Sequence, residues 1–100
     1  MTPISREKVT LRFLGIFKKA YGNGQTLIKI RKNEKLEDII KKVSETSPNL
    51  KRVLVDPELD SPLSNAVILV NGKEISLLNG LETKLKDKDE IVFIPVIHGG

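Results

Sequence analysis

The chain is predicted to fold as an α+β domain in which a mixed sheet packs on one main helix. Three observations predict this class: short strand patterns occur near both ends of the chain, one amphipathic helix lies between them, and the intervening turns carry hairpin residues. A hairpin–helix–hairpin order buries one sheet face under one helix. We therefore expect one domain over residues 1–100, of which about 96–100 form a flexible tail.

The first hairpin is predicted from two short strands. Residues 9–13 alternate apolar and polar side chains, as a half-buried strand does. Residues 26–31 form the second strand, with Ile28 and Ile30 on one face. Residues 14–17 continue the apolar run of the first strand, and the glycine-containing stretch 18–24 supplies the turn.

One apolar stripe predicts the main helix. Its members recur at the i, i+3, i+4 and i+7 spacing of a single helical face: Leu36, Ile39, Ile40 and Val43. Asn33 is the expected N-cap, and the acidic residues Glu34, Glu37 and Asp38 suit the positive end of the helix dipole. Residues 47–49 end the helix. The following segment, 50–55, is either a short helical turn or a strand.

The second half of the chain predicts a second hairpin and a last strand. Residues 56–65 are a polar surface loop, and residues 66–70 are interpreted as a buried strand. Asn71-Gly72 is the strongest short hairpin signal, and residues 73–76 form the returning strand. After a connector over 77–85, the last strand occupies 91–94 and ends at Pro95, which cannot donate a backbone hydrogen bond. This order suits a β-grasp domain, in which the last strand lies beside the first.

The last strand is apolar on both faces, and a single helix covers only one of them. Two alternatives remain for the other face. It is either covered by residues 50–63, or it is exposed and forms a partner surface with Phe93 or Ile94 at its centre.

The composition limits the chemistry that the chain can perform. Hydrophobic residues make up 39% of the 100 residues and charged residues 30%, as in ordinary globular domains. There is no cysteine, which excludes disulfides, a zinc ribbon and a cysteine-ligated iron–sulfur cluster. No catalytic triad or phosphate loop is visible, so we expect a protein that is not itself an enzyme. His98 is the only histidine, so no metal site is expected, and it either hydrogen-bonds a partner or is simply exposed.

Charge and hydropathy bear on partners and location. The net charge of +4 permits a non-catalytic β-grasp module that binds RNA or regulates, although the cations are scattered among acidic residues. No apolar run approaches the ~20 residues that span a bilayer, and residues 1–8 lack the apolar core of a signal peptide. We expect a cytoplasmic protein that does not contact membranes.

The sequence ends at Gly99-Gly100, directly after the last strand and the short stretch Val96, Ile97 and His98. Glycines lack a Cβ and let the backbone of another protein come close. Such a tail suits a narrow channel and delivers one reactive group, the carboxylate of Gly100. Because a carboxylate is a poor electrophile, an enzyme has to activate it before any acyl transfer.

Residues 67–73 and 85–95, together with the terminal diglycine, resemble the β-grasp sulfur carriers and ubiquitin-like modifiers. This group includes the molybdopterin synthase small subunit, the thiamine sulfur carrier, the ubiquitin-related modifier and the archaeal small modifier proteins. The sequence Ile97-His98-Gly99-Gly100 is most similar to the tail of the ubiquitin-related modifier. Lys88 replaces the glycine that is usual in the turn before the last strand.

The resemblance implies a reaction cycle and a set of partners. An E1-like enzyme would adenylate Gly100 with ATP and Mg²⁺, which are substrates of that enzyme, while this chain itself binds no cofactor. A persulfide-bearing enzyme would then supply sulfur for a C-terminal thiocarboxylate. The acceptor would be a tRNA thiolase or the large subunit of a molybdopterin synthase, and the activated Gly100 could alternatively join lysines of target proteins. The chain alone is expected to be a monomer.

Overall fold

A computed structural model describes residues 6–97. Eight strands and α-helices follow one another in this part of the chain: β1 (Lys8–Phe13), α1 (Gly15–Tyr21), β2 (Gln25–Lys29), α2 (Leu36–Thr46), α3 (Pro48–Leu54), β3 (Ala66–Val70), β4 (Lys73–Glu74) and β5 (Glu90–Pro95). Two 3-10 helices, Ile75–Leu77 and Gly80–Glu82, lie between β4 and β5. Over residues 6–97, none of the helices combines the length and the apolarity that a bilayer crossing needs.

The strands form one mixed sheet in the order β2-β1-β5-β3-β4. The last strand, β5, lies in the middle of the sheet, parallel to β1 and antiparallel to β3. The register places Phe13 beside Phe93 and Ile68 on the other side of Phe93. This arrangement confirms the β-grasp fold, with β5 beside β1 as predicted.

The core lies between α2 and the inner face of the sheet. All four residues of the predicted helical stripe are at most 4% exposed: Leu36, Ile39, Ile40 and Val43. Facing them, the rings of Phe13 and Phe93 stack with their centroids 5.4 Å apart. Burial of this stripe, rather than helix propensity, supplies most of the stability of an 11-residue helix such as α2.

The predicted first hairpin differs from the structure in its connection. Strands β1 and β2 pair antiparallel, as expected, but residues 15–21 form α1 and do not extend β1. The helix is bounded by Gly15 and by Gly22, whose left-handed backbone lets its N–H donate to the carbonyl of Lys18. Only Phe17 of this helix is buried. The prediction from local pattern, which continued the first strand through residues 14–17, therefore missed a short helix.

The start of α2 also differs from the prediction. Asn33 is not the N-cap: it has φ +62 in a turn, and the helix begins at Leu36 after Lys35, which makes no side-chain cap. Glu37 and Asp38 lie in the first turn, where the helix dipole favours acidic side chains, as expected.

Residues 50–55 belong largely to a helix, which decides between the two alternatives left by the sequence. Pro48 follows the end of α2 and is the first residue of α3. Proline suits this position because its backbone fits the first turn of a helix. The hydroxyl of Ser47 caps α3 by accepting a hydrogen bond from the backbone N–H of Leu50 at 3.4 Å.

A turn over residues 86–90 fixes the start of β5. Lys88 adopts φ +71, a left-handed conformation that glycine accepts more easily. Its N–H donates to the carbonyl of Lys8 at 2.7 Å. The carboxylate of Asp89 accepts hydrogen bonds from the backbone N–H of Lys86 and the side-chain amide of Asn71, each at 2.8 Å. The turn therefore forms without the glycine that the family usually has there.

Candidate functional site

Strand β5 carries the chain from the centre of the sheet to the C-terminal residues. Its pairing with β3 ends where Pro95 lies opposite Ala66. One more backbone hydrogen bond follows, from the N–H of Val96 to the carbonyl of Asn65 at 2.9 Å. Asn65 is itself held by a hydrogen bond from its side-chain amide to the carbonyl of Leu54 at 3.2 Å. Val96, which belongs to the predicted tail of about 96–100, is therefore still hydrogen-bonded to the fold.

The chain leaves the fold at Ile97. The side chain of Val96 is 37% exposed, whereas that of Ile97 is 91% exposed. His98, Gly99 and Gly100, the other predicted tail residues, lie outside the described residues. Because Ile97 is reached from a central strand, the start of the tail has a well-defined position on the molecule.

Helix α1 packs beside this exit. The N–H of Leu14 donates to the carbonyl of Phe93 at 3.2 Å, which ties the start of α1 to β5. Gly15 has φ +54, and a Cβ placed on it would lie 3.0 Å from Cγ of Pro95. The left-handed backbone and the close approach to Pro95 therefore each favour glycine at position 15.

Phe93 does not form the predicted partner surface. Its side chain is fully buried, because the register with β1 points it to the same inner face as Phe13. Ile94, the other candidate, lies on the opposite face of β5 and is partly exposed. The alternation of side chains along a strand allows only one of these two neighbours to face outward.

An apolar patch crosses the outer face of the sheet, and residues 50–63 do not bury it. It consists of two cross-strand pairs from β3 and β5, Val67 opposite Ile94 and Leu69 opposite Val92, and we call it the outer patch. Val67 is 39% exposed, and the other three are partly exposed. The interpretation of residues 66–70 as a fully buried strand is therefore wrong for Val67 and Leu69.

The outer patch has a charged and polar border on the side of β1. Arg12 lies opposite Val92, and its guanidinium is 3.8 Å from the carboxylate of Glu90. Both side chains are about half exposed, so this ion pair contributes little to stability. Beyond β1, Leu27 of the edge strand β2 is 65% exposed on the same face.

The described residues combine an exposed apolar surface with the exit of the chain from the sheet. Within residues 6–97, no group of three or more His, Asp, Glu or Cys side chains is placed to hold a metal ion. What the arrangement supplies is an apolar face next to the point where the tail leaves the sheet. The sequence did not predict that Val67 and Leu69 face outward, because an all-apolar strand carries no signal of which side is exposed. It also did not predict α1.

Comparison with known proteins places the chain in a family. The model of the ThiS family matches residues 11–100. Small archaeal modifier protein 1 (SAMP1) from Methanosarcina acetivorans is 29% identical with a TM-score of 0.81, and the match covers 94% of this chain and 97% of that one. Urm1 from Trypanosoma brucei is 20% identical with a TM-score of 0.77, and the match covers 97% of this chain and all of that one (100%).

A third similar structure contains a partner. A chain of the Amycolatopsis orientalis BexX/CysO complex is 25% identical with a TM-score of 0.68, and the match covers 92% of this chain and 99% of that one. Because the family model matches nearly the whole chain, the chain belongs to the ThiS family, whose β-grasp members are small sulfur carriers and ubiquitin-like modifiers.

Proposed function

We propose that this protein carries sulfur, or is itself transferred, through the carboxylate of Gly100. An E1-like enzyme uses ATP and Mg²⁺ to form the acyl-adenylate of Gly100 and releases pyrophosphate. The terminal sulfur of a persulfide enzyme then displaces AMP from the acyl carbon, and a thiol cleaves the resulting acyl disulfide to leave a thiocarboxylate. Adenylation is needed because AMP is a far better leaving group than the oxygen of a free carboxylate.

The observation that supports this proposal most strongly is the exit of the chain from β5. A central strand, bonded on both sides, leads to an exposed residue at Ile97, three residues before Gly100. A firmly held starting point and a short glycine-ended tail suit delivery of a terminal carboxylate into the channel of another protein. Membership of the ThiS family supports the same carrier role.

The outer patch is the proposed docking surface for the activating enzyme. It lies on β3 and β5, next to the tail, and Ile94 is the member predicted from the sequence that remains available there. A partly exposed aliphatic surface with a polar border is typical of protein interfaces. The presence of a partner in the BexX/CysO structure supports docking of carriers on enzymes in general.

The sulfur acceptor of the proposed cycle is a tRNA thiolase or a molybdopterin synthase large subunit, of which this chain would be the small partner. Conjugation of Gly100 to lysines of target proteins is the second use of the same activated group. In either case the protein is a co-substrate of other enzymes, monomeric when alone and located in the cytoplasm.

Activation assays with the cognate E1-like enzyme test the proposal. Deleting Gly100, or replacing Gly99→Val, should abolish ATP–pyrophosphate exchange and thiocarboxylate formation measured by intact mass. A misplacement of about 1 Å of the reacting group can cost on the order of a hundredfold in rate. The melting temperature of both variants should equal that of the unmodified protein.

Normal activation of the Gly100 deletion would overturn the carrier and modifier roles together. The alternative would then be a β-grasp module that binds RNA or regulates, which makes no use of the diglycine. Binding of an RNA oligonucleotide that is unchanged by the deletion would support that alternative.

A further inference from the structure

Three segments of the chain that meet where it leaves the sheet are free of charged residues. They are residues 13–17, 61–67 and 91–97, and none of them contains Asp, Glu, Lys or Arg. In the chain as a whole, charged residues make up 30%. Because charged residues are depleted at the centre of protein interfaces, this composition favours a contact surface around the exit.

The first two segments lie on opposite sides of the exit. Gly15 approaches Pro95 from the side of β1, and the carbonyl of Asn65, just before β3, accepts the hydrogen bond from the N–H of Val96 at 2.9 Å. Strands β1 and β3 flank β5 on either side in the sheet. The exit is therefore bordered by α1 on one side and by the end of the loop before β3 on the other.

Exposed aliphatic side chains surround the exit. Leu14 is 41% exposed, and Ile16 and Leu63 are each 53% exposed. Together with the exposed side chains of the tail itself they form a group that we call the collar: Leu14, Ile16, Leu63, Val96 and Ile97. Single exposed aliphatic residues are common, whereas several around one point form a patch that suits an apolar partner surface. The collar lies at the end of the sheet, and the outer patch lies on its face.

Leu63 is held in a hydrogen-bonded turn. Its N–H donates to the hydroxyl of Ser61 at 3.2 Å, and the N–H groups of Asn65 and Ala66 both donate to the carbonyl of Pro62, at 3.0 and 2.9 Å. On the other side of the exit, the carbonyl of Leu14 accepts from the N–H of Phe17 at 3.1 Å. Because the backbone on both sides is already fixed, binding through the collar costs little ordering entropy.

The length of the tail decides what covers the collar. If the carboxylate of Gly100 is the reacting group, only the residues 98–100 separate it from Ile97. A chain spans at most about 3.6 Å per residue, so this carboxylate reaches no farther than roughly 12 Å beyond Ile97. An active site inside a channel can therefore act on Gly100 only when the mouth of the channel comes close to the collar.

We propose that the collar docks on an apolar rim around the mouth of the tail channel of the activating enzyme. The inference rests on the proposed activation of Gly100 and adds the surface through which the short tail reaches the active site. The rim is apolar because a charged group pressed against the aliphatic collar would lose its water without gaining a partner. The outer patch holds the enzyme on the sheet face, and the collar closes the distance between the fold and the active site.

ATP–pyrophosphate exchange with the activating enzyme tests the proposal. Leu63→Glu and Ile16→Glu, on the two sides of the exit, should each lower kcat/KM for the carrier on the order of tenfold, as charges in a desolvated contact do. Both residues are exposed, so the melting temperature should not change. The matched control is Leu59→Glu, which makes the same change at a 66% exposed leucine of the same loop but outside the three segments. A loss in Leu59→Glu as large as that in Leu63→Glu would overturn the proposal.

A longer tail separates the collar from other docking surfaces. Insertion of Gly-Ser-Gly-Ser between Ile97 and His98 adds up to about 14 Å, so the carboxylate can reach the active site while the collar stays off the rim. In the lengthened chain Leu63→Glu should lose most of its effect, whereas Val67→Glu in the outer patch should keep its own. An equal effect of Leu63→Glu at both tail lengths would contradict a contact that the short tail enforces.

Deletion of Gly100 distinguishes the two proposals. Normal exchange after this deletion would overturn the proposed function and the role of the collar with it. Loss of exchange after the deletion, together with full activity of Leu63→Glu and Ile16→Glu, would overturn the collar alone.

Discussion

Gly15 packs against Pro95, so that the start of α1 and the end of β5 meet where the chain turns toward its C-terminus. Any side chain at residue 15 would have its Cβ 3.0 Å from Cγ of Pro95, and the backbone there has φ +54. The contact and the backbone conformation of Gly15 both affect Pro95, which belongs to the last residue pair of the sheet before the tail. The position of the tail therefore depends on a residue that is 80 positions away in the sequence.

Gly15→Ala should destabilise the protein more than Gly80→Ala does. Gly80 has nearly the same φ, +58, but a Cβ there would meet nothing within 4 Å, so it reports the backbone strain alone. That strain costs roughly 1–2 kcal/mol, and the contact with Pro95 adds to it only at residue 15. Urea titrations of the two variants measure the difference, and equal losses would mean that Pro95 gives way freely.

Ile39→Ala should lower the free energy of unfolding by about 2–5 kcal/mol, because it opens a cavity beneath α2 where Ile39 is fully buried. Leu77→Ala is the control, since Leu77 is 78% exposed and should change stability by less than about 0.5 kcal/mol. Denaturant unfolding followed by circular dichroism gives both values. A loss at Ile39 no larger than that at Leu77 would contradict the assigned core face.

Lys88→Gly should stabilise the protein by up to about 1 kcal/mol. The substitution relieves a left-handed backbone at φ +71 and keeps the backbone hydrogen bond to Lys8. Lys86→Gly, two residues earlier and equally exposed, lacks a positive φ to relieve and should be neutral or destabilising. Thermal melts compare the pair, and stabilisation by both would point to removal of charge instead of strain.

Glu34→Gln should flatten the dependence of stability on pH under acidic conditions. Burial acts to raise the pKa of Glu34, but a hydrogen bond from the N–H of Arg31 at 2.8 Å and the ammonium of Lys42 at 3.1 Å outweigh it, so this pKa lies below 4.5. The unfolded chain consequently binds the proton more readily than the folded one. The stabilisation is present above about pH 4.5 and is lost as pH falls through the lowered pKa of the folded state.

Unfolding free energies at several pH values between neutral and strongly acidic conditions measure this effect. Glu58→Gln, which removes an exposed carboxylate, serves as the control and should retain the slope of the unmodified protein. An identical slope in Glu34→Gln would show that other carboxylates carry the acid sensitivity.

Val67→Glu and Ile94→Glu should each weaken the complex with the activating enzyme by roughly tenfold or more, because they place a charge in the outer patch. Leu27→Glu provides the control on the same sheet face: Leu27 is 65% exposed but lies on the edge strand β2, outside the patch. Isothermal titration with the enzyme, alongside melting temperatures, separates binding from folding. Greater loss at Leu27 than at Val67 would move the docking surface toward β2.

The sequence predicted those elements whose residue pattern is compatible with only one type of secondary structure. The stripe beginning at Leu36 fits a helix and no strand, and Asn71-Gly72 demands a hairpin, so both elements were predicted. The returning strand is shorter than the predicted residues 73–76, because it ends at Glu74 and a 3-10 helix begins at Ile75. Helix α1 was missed because a seven-residue helix with one buried side chain, Phe17, has too little periodicity to recognise.

The side of β5 that faces outward could not be predicted from local pattern. Phe93 and Ile94 are both apolar, and either suits the core. The register between β5 and β1 decides which of the two faces the core, because it places Phe93 beside Phe13, 80 positions away in the sequence. Tertiary pairing of this kind leaves no trace in a single sequence.

The central place of β5 also has a mechanical consequence. A pull on the chain beyond Ile97 acts along a strand that is bonded to β1 on one side and β3 on the other. Its backbone hydrogen bonds run across the direction of such a pull, so both ladders are loaded together in shear, whereas an edge strand would peel away one bond at a time. A protein machine that pulls on this terminus therefore has to break backbone hydrogen bonds to β1 and β3 together before β5 leaves the sheet.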